Sequence, residues 1–130
     1  MAEHPNVTLI RKGFAAFNSG DLATLTDLLA VDCVQHMVGD GPLSGDYKGR
    51  DAIFEMYGKI AELSEGTYRA ELTDVYANDH RCVALYTGTA TRNGRSVTER
   101  HALTFEMIDS KAIDIDDLPL DGIQDDDFWR

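Results

Sequence analysis

The chain is predicted to be an α+β protein: a cone-shaped, curved antiparallel sheet packed against three N-terminal helices. Three observations predict it. Apolar residues recur at helical spacing through Leu63. The pattern then switches to period two from Thr67 onward. Tight-turn signals divide that second half into four runs. Helices segregated from antiparallel strands specify an α+β domain rather than alternating βαβ units.

Size and composition bound the reading. The 130 residues are 43% hydrophobic, enough for one domain over residues 1–130 with a real core. No apolar run reaches transmembrane length and no basic-then-apolar leader opens the chain, so a cytoplasmic protein is expected. The formal net charge of −11 disfavours nucleic acid and anionic membranes as partners, because both need clustered Lys and Arg. Cys33 and Cys82 lie far apart in strand-like surroundings and read as free buried thiols rather than a disulfide or a metal pair. No internal repeat, low-complexity tract or linker is present.

The elements follow in order. His4-Pro5-Asn6 starts the first helix, whose apolar face is Val7, Ile10, Phe14 and Phe17. Asn18-Ser19-Gly20 ends it. Asp21 caps a short second helix that turns Leu22, Leu25, Leu28 and Leu29 to one side. Val31 to Val38 reads as a strand ending in a turn built from Gly39, Gly41, Pro42 and Gly45. Asp46 to Arg50 leads onward, and Asp51 is placed to cap the third helix, with Ile53, Phe54, Tyr57, Ile60, Ala61 and Leu63 on its apolar face. Four strands come next: Tyr68 to Ala77, Arg81 to Arg92, Arg95 to Ile108, and Ala112 to Leu118. Asn93-Gly94 is a strong type I′ hairpin signal, and Pro119 ends the ladder. The tail from Asp121 to Arg130 is acidic but closes on Phe128-Trp129, which suggests a short docked segment.

A curved sheet with helices on one face leaves a cone-shaped hollow suited to a small hydrophobic molecule. Strand parity says which side chains reach it. Glu99, His101, Leu103, Phe105 and Met107 share one face; all but the first two are apolar, so this is the inner face. On the last strand Ile113, Ile115 and Asp117 share a face, and a register slip of one would substitute Asp116 for Asp117. Glu99, His101 and Asp117 can therefore converge. His36 stands just before the Gly-Pro turn, where a strand end can assemble a site. An imidazole beside a carboxylate is an acid/base pair that titrates near neutrality. Phe14, Tyr57, Tyr86, Met37, Leu103 and Phe105 are the expected substrate-binding walls, the tyrosines being able to donate a hydrogen bond and the methionine to adapt. Each of these polar residues also has an ordinary reading: an inward His as a bonded core residue, Glu99 as a cross-strand partner of Arg81 or Arg95, Asp117 as a solvated acid. No HxH, CxxC or HExxH spacing favours a metal, and no glycine-rich phosphate loop or nucleophile elbow favours a nucleotide or a serine hydrolase; no cofactor is expected.

The order of elements resembles the nuclear transport factor 2-like (cystatin-like) superfamily, especially its SnoaL-like and ketosteroid-isomerase-like branches. The resemblance rests on Phe17-Asn18-Ser19-Gly20-Asp21-Leu22, on Gly45 to Ile53 with its Tyr47-Lys48-Gly49-Arg50-Asp51 core, on Thr104-Phe105-Glu106 and on Phe128-Trp129. It implies that His36 occupies the place of the isomerase's base aspartate and His101 that of its protonated oxyanion-hole aspartate. Tyr57 matches a supporting tyrosine, and Gly13 falls where the oxyanion tyrosine would stand. In the SnoaL-like cyclases a polar residue and a His two apart precede an Asp on the last strand; Glu99, His101 and Asp117 fit. The epoxide-hydrolase pattern also uses that Asp, but its Arg and second Asp would fall near Ala84 and Tyr86. This branch usually carries Gly-Lys-Ile where this chain has Ser110-Lys111-Ala112. The resemblance implies a homodimer paired through the outer sheet face, and a cofactor-free isomerase- or cyclase-like proton transfer on a small apolar carbonyl compound, His36 and His101 exchanging protons. The alternatives are a non-catalytic binding protein for a small hydrophobic ligand and a dimerisation module with a vestigial pocket.

Overall fold

The computed structural model describes residues 3–120 and 127–130. Three helices, α1 (Pro5–Ser19), α2 (Leu22–Leu28) and α3 (Arg50–Leu63), pack on one six-stranded sheet. Its strands are β1 (Leu29–Met37), β2 (Gly45–Lys48), β3 (Arg69–Ala77), β4 (Arg81–Arg92), β5 (Arg95–Ile108) and β6 (Lys111–Pro119), in the spatial order β2-β1-β6-β5-β4-β3. Among the described residues no helix is long and apolar enough to cross a membrane.

The helix ends show why these segments fold locally. The His4 ring accepts a hydrogen bond from the Asn6 N–H, and Pro5 occupies a first-turn position where its missing N–H is no loss. Asp21 caps α2 by accepting from the Thr24 N–H. Asn18 does more than end a helix. Its amide donates to the Ala70 carbonyl and accepts from the Ala70 N–H, so it extends the ladder of edge strand β3. Asn6 is likewise buried and donates to the carbonyls of Asn78 and Asp79, tying α1 to the β3–β4 turn.

Three expectations need correction. Asp51 does not cap α3. The helix starts earlier, with Gly49 at the cap and Asp51 in its first turn. Gly49 has a φ of 96°, a region that favours glycine, and its N–H reaches the Cys33 carbonyl of β1. Arg50 then donates to the carbonyls of Thr26 and Leu29, which fixes the start of the helix. The second correction concerns Asp46 to Lys48, which is a strand rather than a lead-in. It pairs antiparallel with β1, setting Asp46 opposite His36. The sheet is also mixed, since β1 runs parallel to β6 while every other pairing is antiparallel.

The core lies between the helices and the concave face of the sheet. Ile10, Ile53, Met56, Met107 and Ile115 are almost fully enclosed, each contributing roughly 1.5–3 kcal/mol through burial. Cys33 and Cys82 are buried and unlinked, and burial pushes their thiols up to about 12 and about 11, so they stay protonated. The β5–β6 turn places Asp109 and Ser110 at φ of 51° and 65°, a left-handed pair made without glycine. Ala112 is fully enclosed behind it. Phe128 and Trp129 pack into the body, as a docked segment would; the stretch 121–126 of that tail lies outside the described residues.

Candidate functional site

Helices and sheet enclose a hollow of about 90 Å³ that opens to solvent, room for several water molecules. Its walls are apolar over most of their extent: Phe14 and Phe17 from α1, Leu25 and Leu28 from α2, Ile60 from α3, Leu103 and Phe105 from β5, Ile115 from β6. Gly13 also lines it, close enough to α2 that a Cβ would meet Leu28 Cδ2 at 2.7 Å. The place where the resemblance implies an oxyanion tyrosine therefore holds no side chain.

Polar groups gather at one pole. The alternation of β5 sends Glu99 and His101 inward, and β6 sends Asp117 inward beside Leu103. His101 Nδ1–H donates to Asp117 Oδ1 at 2.9 Å, and the Tyr86 hydroxyl donates to Asp117 Oδ2 at 2.7 Å. His101 Nε2 faces Glu99 Oε2 across a longer 3.5 Å. Tyr86, the cross-strand neighbour of His101, stacks on its ring with centroids 5.2 Å apart and planes 13° from parallel. The Tyr68 hydroxyl is bonded to that of Tyr86, extending the relay to the residue just before β3. Gly88 makes room for it: a Cβ there would come within 2.5 Å of the Tyr68 oxygen.

The electrostatics follow from this geometry. Burial works against a charge on His101, but the bonds to Asp117 and Glu99 prevail and hold its pKa up at about 9. His101 is therefore an imidazolium at neutral pH, donating through both nitrogens. The Tyr86 phenol is pushed well above its ordinary value, first by burial and then by Asp117, and stays a donor. Tyr57 and Tyr68 move the same way, chiefly through burial.

The structure thus brings together three of the four expected acid/base residues, Glu99, His101 and Asp117, along with all six expected walls: Phe14, Met37, Tyr57, Tyr86, Leu103 and Phe105. It separates His36 from them, which corrects the expectation of paired imidazoles. On β1 the inward residues are Cys33, Gln35 and Met37, so His36 points to the outer face. There its Nδ1 meets Asp46 at 2.7 Å and its Nε2 meets Asp114 at 2.8 Å; those bonds, Asp46 foremost, raise its pKa. This geometry suits hydrogen bonding rather than chelation, and among the described residues no three His, Cys, Asp or Glu side chains group to hold a metal ion.

The lining residues outside the expected set include Gln35, Leu43, Tyr68 and Trp129. Gln35 takes the inward place on β1 that His36 does not. Its Oε1 accepts from the Tyr57 hydroxyl at 3.0 Å. Parity on β1, read from Met37, was the signal that could have found it.

The family model of the SnoaL-like domain matches residues 10–115, which takes in the residues that line the hollow apart from Asp117 and Trp129. The chain belongs to the SnoaL-like family, within the nuclear transport factor 2-like superfamily. A relative, an uncharacterized protein of Mycobacterium tuberculosis, is 31% identical over 130 residues, covering 99% of both chains. Among solved structures, Bal32a from a soil-derived mobile gene cassette is 36% identical with a TM-score of 0.91 and 96% coverage of each chain. IdmH of Streptomyces antibioticus, put forward as a polyketide cyclase, superimposes with a TM-score of 0.76 at 19% identity, covering 91% of this chain and 94% of its own; that likeness is one of fold.

Proposed function

We propose that the hollow is an acid/base site that moves a proton on a small apolar carbonyl compound, isomerase- or cyclase-like, using side chains alone. One observation carries this reading: the Tyr86–Asp117–His101–Glu99 chain sits at one pole of a mostly apolar hollow. Glu99 takes a proton from the carbon beside the carbonyl. The electron pair moves onto the carbonyl oxygen, which accepts a hydrogen bond from His101 Nε2–H. Return of the proton to another carbon completes an isomerisation; in a cyclisation the enolate carbon attacks a second carbonyl, the first carbonyl re-forms, and the new alkoxide takes the proton back from Glu99. Asp117 and Tyr86 are positioning residues that hold the imidazolium in place. The low dielectric of the walls strengthens each of these contacts. Membership of the SnoaL-like family and the fold shared with IdmH support the same class of chemistry.

The test is α-proton exchange of acetophenone in D2O followed by NMR, alongside binding of 4-nitrophenol as an enolate mimic. The protein is expected to accelerate exchange, and Glu99→Gln to lose about 100-fold or more of that acceleration. Binding of the mimic without exchange, over a panel of enolisable ketones, would replace this reading with that of a ligand-binding protein. Absence of binding as well would leave a vestigial hollow.

A further inference from the structure

We propose that Gln35 is a second recognition point of the hollow, donating an amide N–H to an oxygen at the end of the ligand remote from His101, so that the carbonyl compound is a small ring with a second oxygen. This rests on the proposed function and names its substrate class.

The argument starts from burial. Gln35 is only 3% exposed, yet it lines the free volume. A primary amide in an apolar wall is costly unless both its ends are used. The acceptor end is used: Tyr57 Oη–H donates to Oε1 at 3.0 Å. Among the described residues the donor end meets only the Met37 thioether, at 3.6 Å. A thioether is a weak acceptor and can engage one of the two amide hydrogens. Rotating the amide by half a turn would set its oxygen against the Met37 sulfur, a repulsive contact, so the NH2 orientation follows from the chemistry of its neighbours. Gln35 is therefore a fixed donor with bonding capacity to spare.

Register supplies the spacing. Gln35 pairs with Ile115 on β6, whereas His101 pairs with Pro119 of that strand from the opposite side. The two residues thus enter the hollow from strands flanking β6, in rows about 13 Å apart along the strand direction. Both side chains line the same hollow, so a ligand that spans it meets His101 on one side and Gln35 on the other. Such a ligand would lie with one oxygen on His101 and the other on Gln35.

The test compares 4-hydroxyacetophenone with acetophenone, which lacks the second oxygen. Trp129 lines the hollow and is the single tryptophan, so its indole N–H cross-peak reports occupancy and gives both Kd values. The Gln35 side-chain amide cross-peaks report the contact directly. 4-Hydroxyacetophenone should shift the Gln35 amide while acetophenone leaves it in place. Gln35→Leu should reduce the preference for the two-oxygen compound about fivefold, the weight of one hydrogen bond. Tyr57→Phe, which frees the amide to rotate, should reduce it by less. An unmoved Gln35 amide, or a preference unchanged in both variants, would overturn the inference while leaving the acid/base reading intact. Failure of either compound to bind the unaltered protein would remove that reading, and this one with it.

Discussion

His101 and His36 have the same kinds of partner and occupy different media. Each ring is held at both nitrogens by two carboxylates, from Asp117 and Glu99 in one case and from Asp46 and Asp114 in the other. The His101 side chain is 9% exposed and the His36 side chain 35%. Inside, the acids adjoin free volume and apolar walls, so a ligand can displace water and feel the full strength of the charges. Outside, they adjoin water and salt, and the outer cluster does no more than brace β2 and β1 against β6. A His flanked by acids becomes a site only where the surroundings are dry and leave room for a reactant.

The largest way to break this comparison is to remove one acid from each side. Asp117→Ala strips the buried imidazolium of its shortest partner and should cost about 3–5 kcal/mol in guanidinium unfolding. Asp114→Ala should cost under about 1 kcal/mol. Equal costs would show the two clusters to be equivalent. A smaller effect is expected from Tyr86→Phe, which leaves Asp117 Oδ2 without its hydroxyl and should cost about 1–3 kcal/mol by the same measurement.

The subtlest test is pH and salt. Both histidines have folded pKa values raised above the unfolded value, so each contributes stability that is fully present below about 6.5 and is lost as pH rises through its folded pKa. For His101 that window runs from about 6.5 to about 9. Imidazole carbon shifts should show His101 titrating near the upper end, largely indifferent to added salt, and moving down in Asp117→Asn. The His36 midpoint should fall toward its ordinary value in high salt, because its pairs are screened. A salt-sensitive His101 would erase the distinction between them.

How far the site was legible depends on how each strand shows its faces. On β5 the set Leu103, Phe105 and Met107 marks the inner side by its apolarity, and Glu99 and His101 follow by counting in twos. On β1 the residues Val34, Gln35, His36 and Met37 mix apolar and polar on both faces, and a register shift between Leu29 and Val34 breaks the count. Resemblance then favours His36, yet Met37 reads as lining, and adjacent strand residues cannot share a face. β2 is four residues long and built of turn-like Gly45 and Asp46, so its strand character came only from pairing with β1. Tyr68 stands before β3, and what admits it is the bare backbone of Gly88 on a neighbouring strand, a fit that no local pattern expresses.

The parallel pairing of β1 with β6 has a consequence for how the molecule is made. His36 and Asp114 are 78 positions apart, and β6 is the last strand among the described residues. Everything translated before Lys111 can form helices and the β3–β5 meander, but the inner edge of β1 stays without a neighbour until Lys111–Pro119 has emerged. Closing so long a loop is slow relative to local pairing. A nascent chain on the ribosome would thus hold an open, acceptor-ready strand edge and half a hollow, and the floor under Gln35 would be laid after the five other strands.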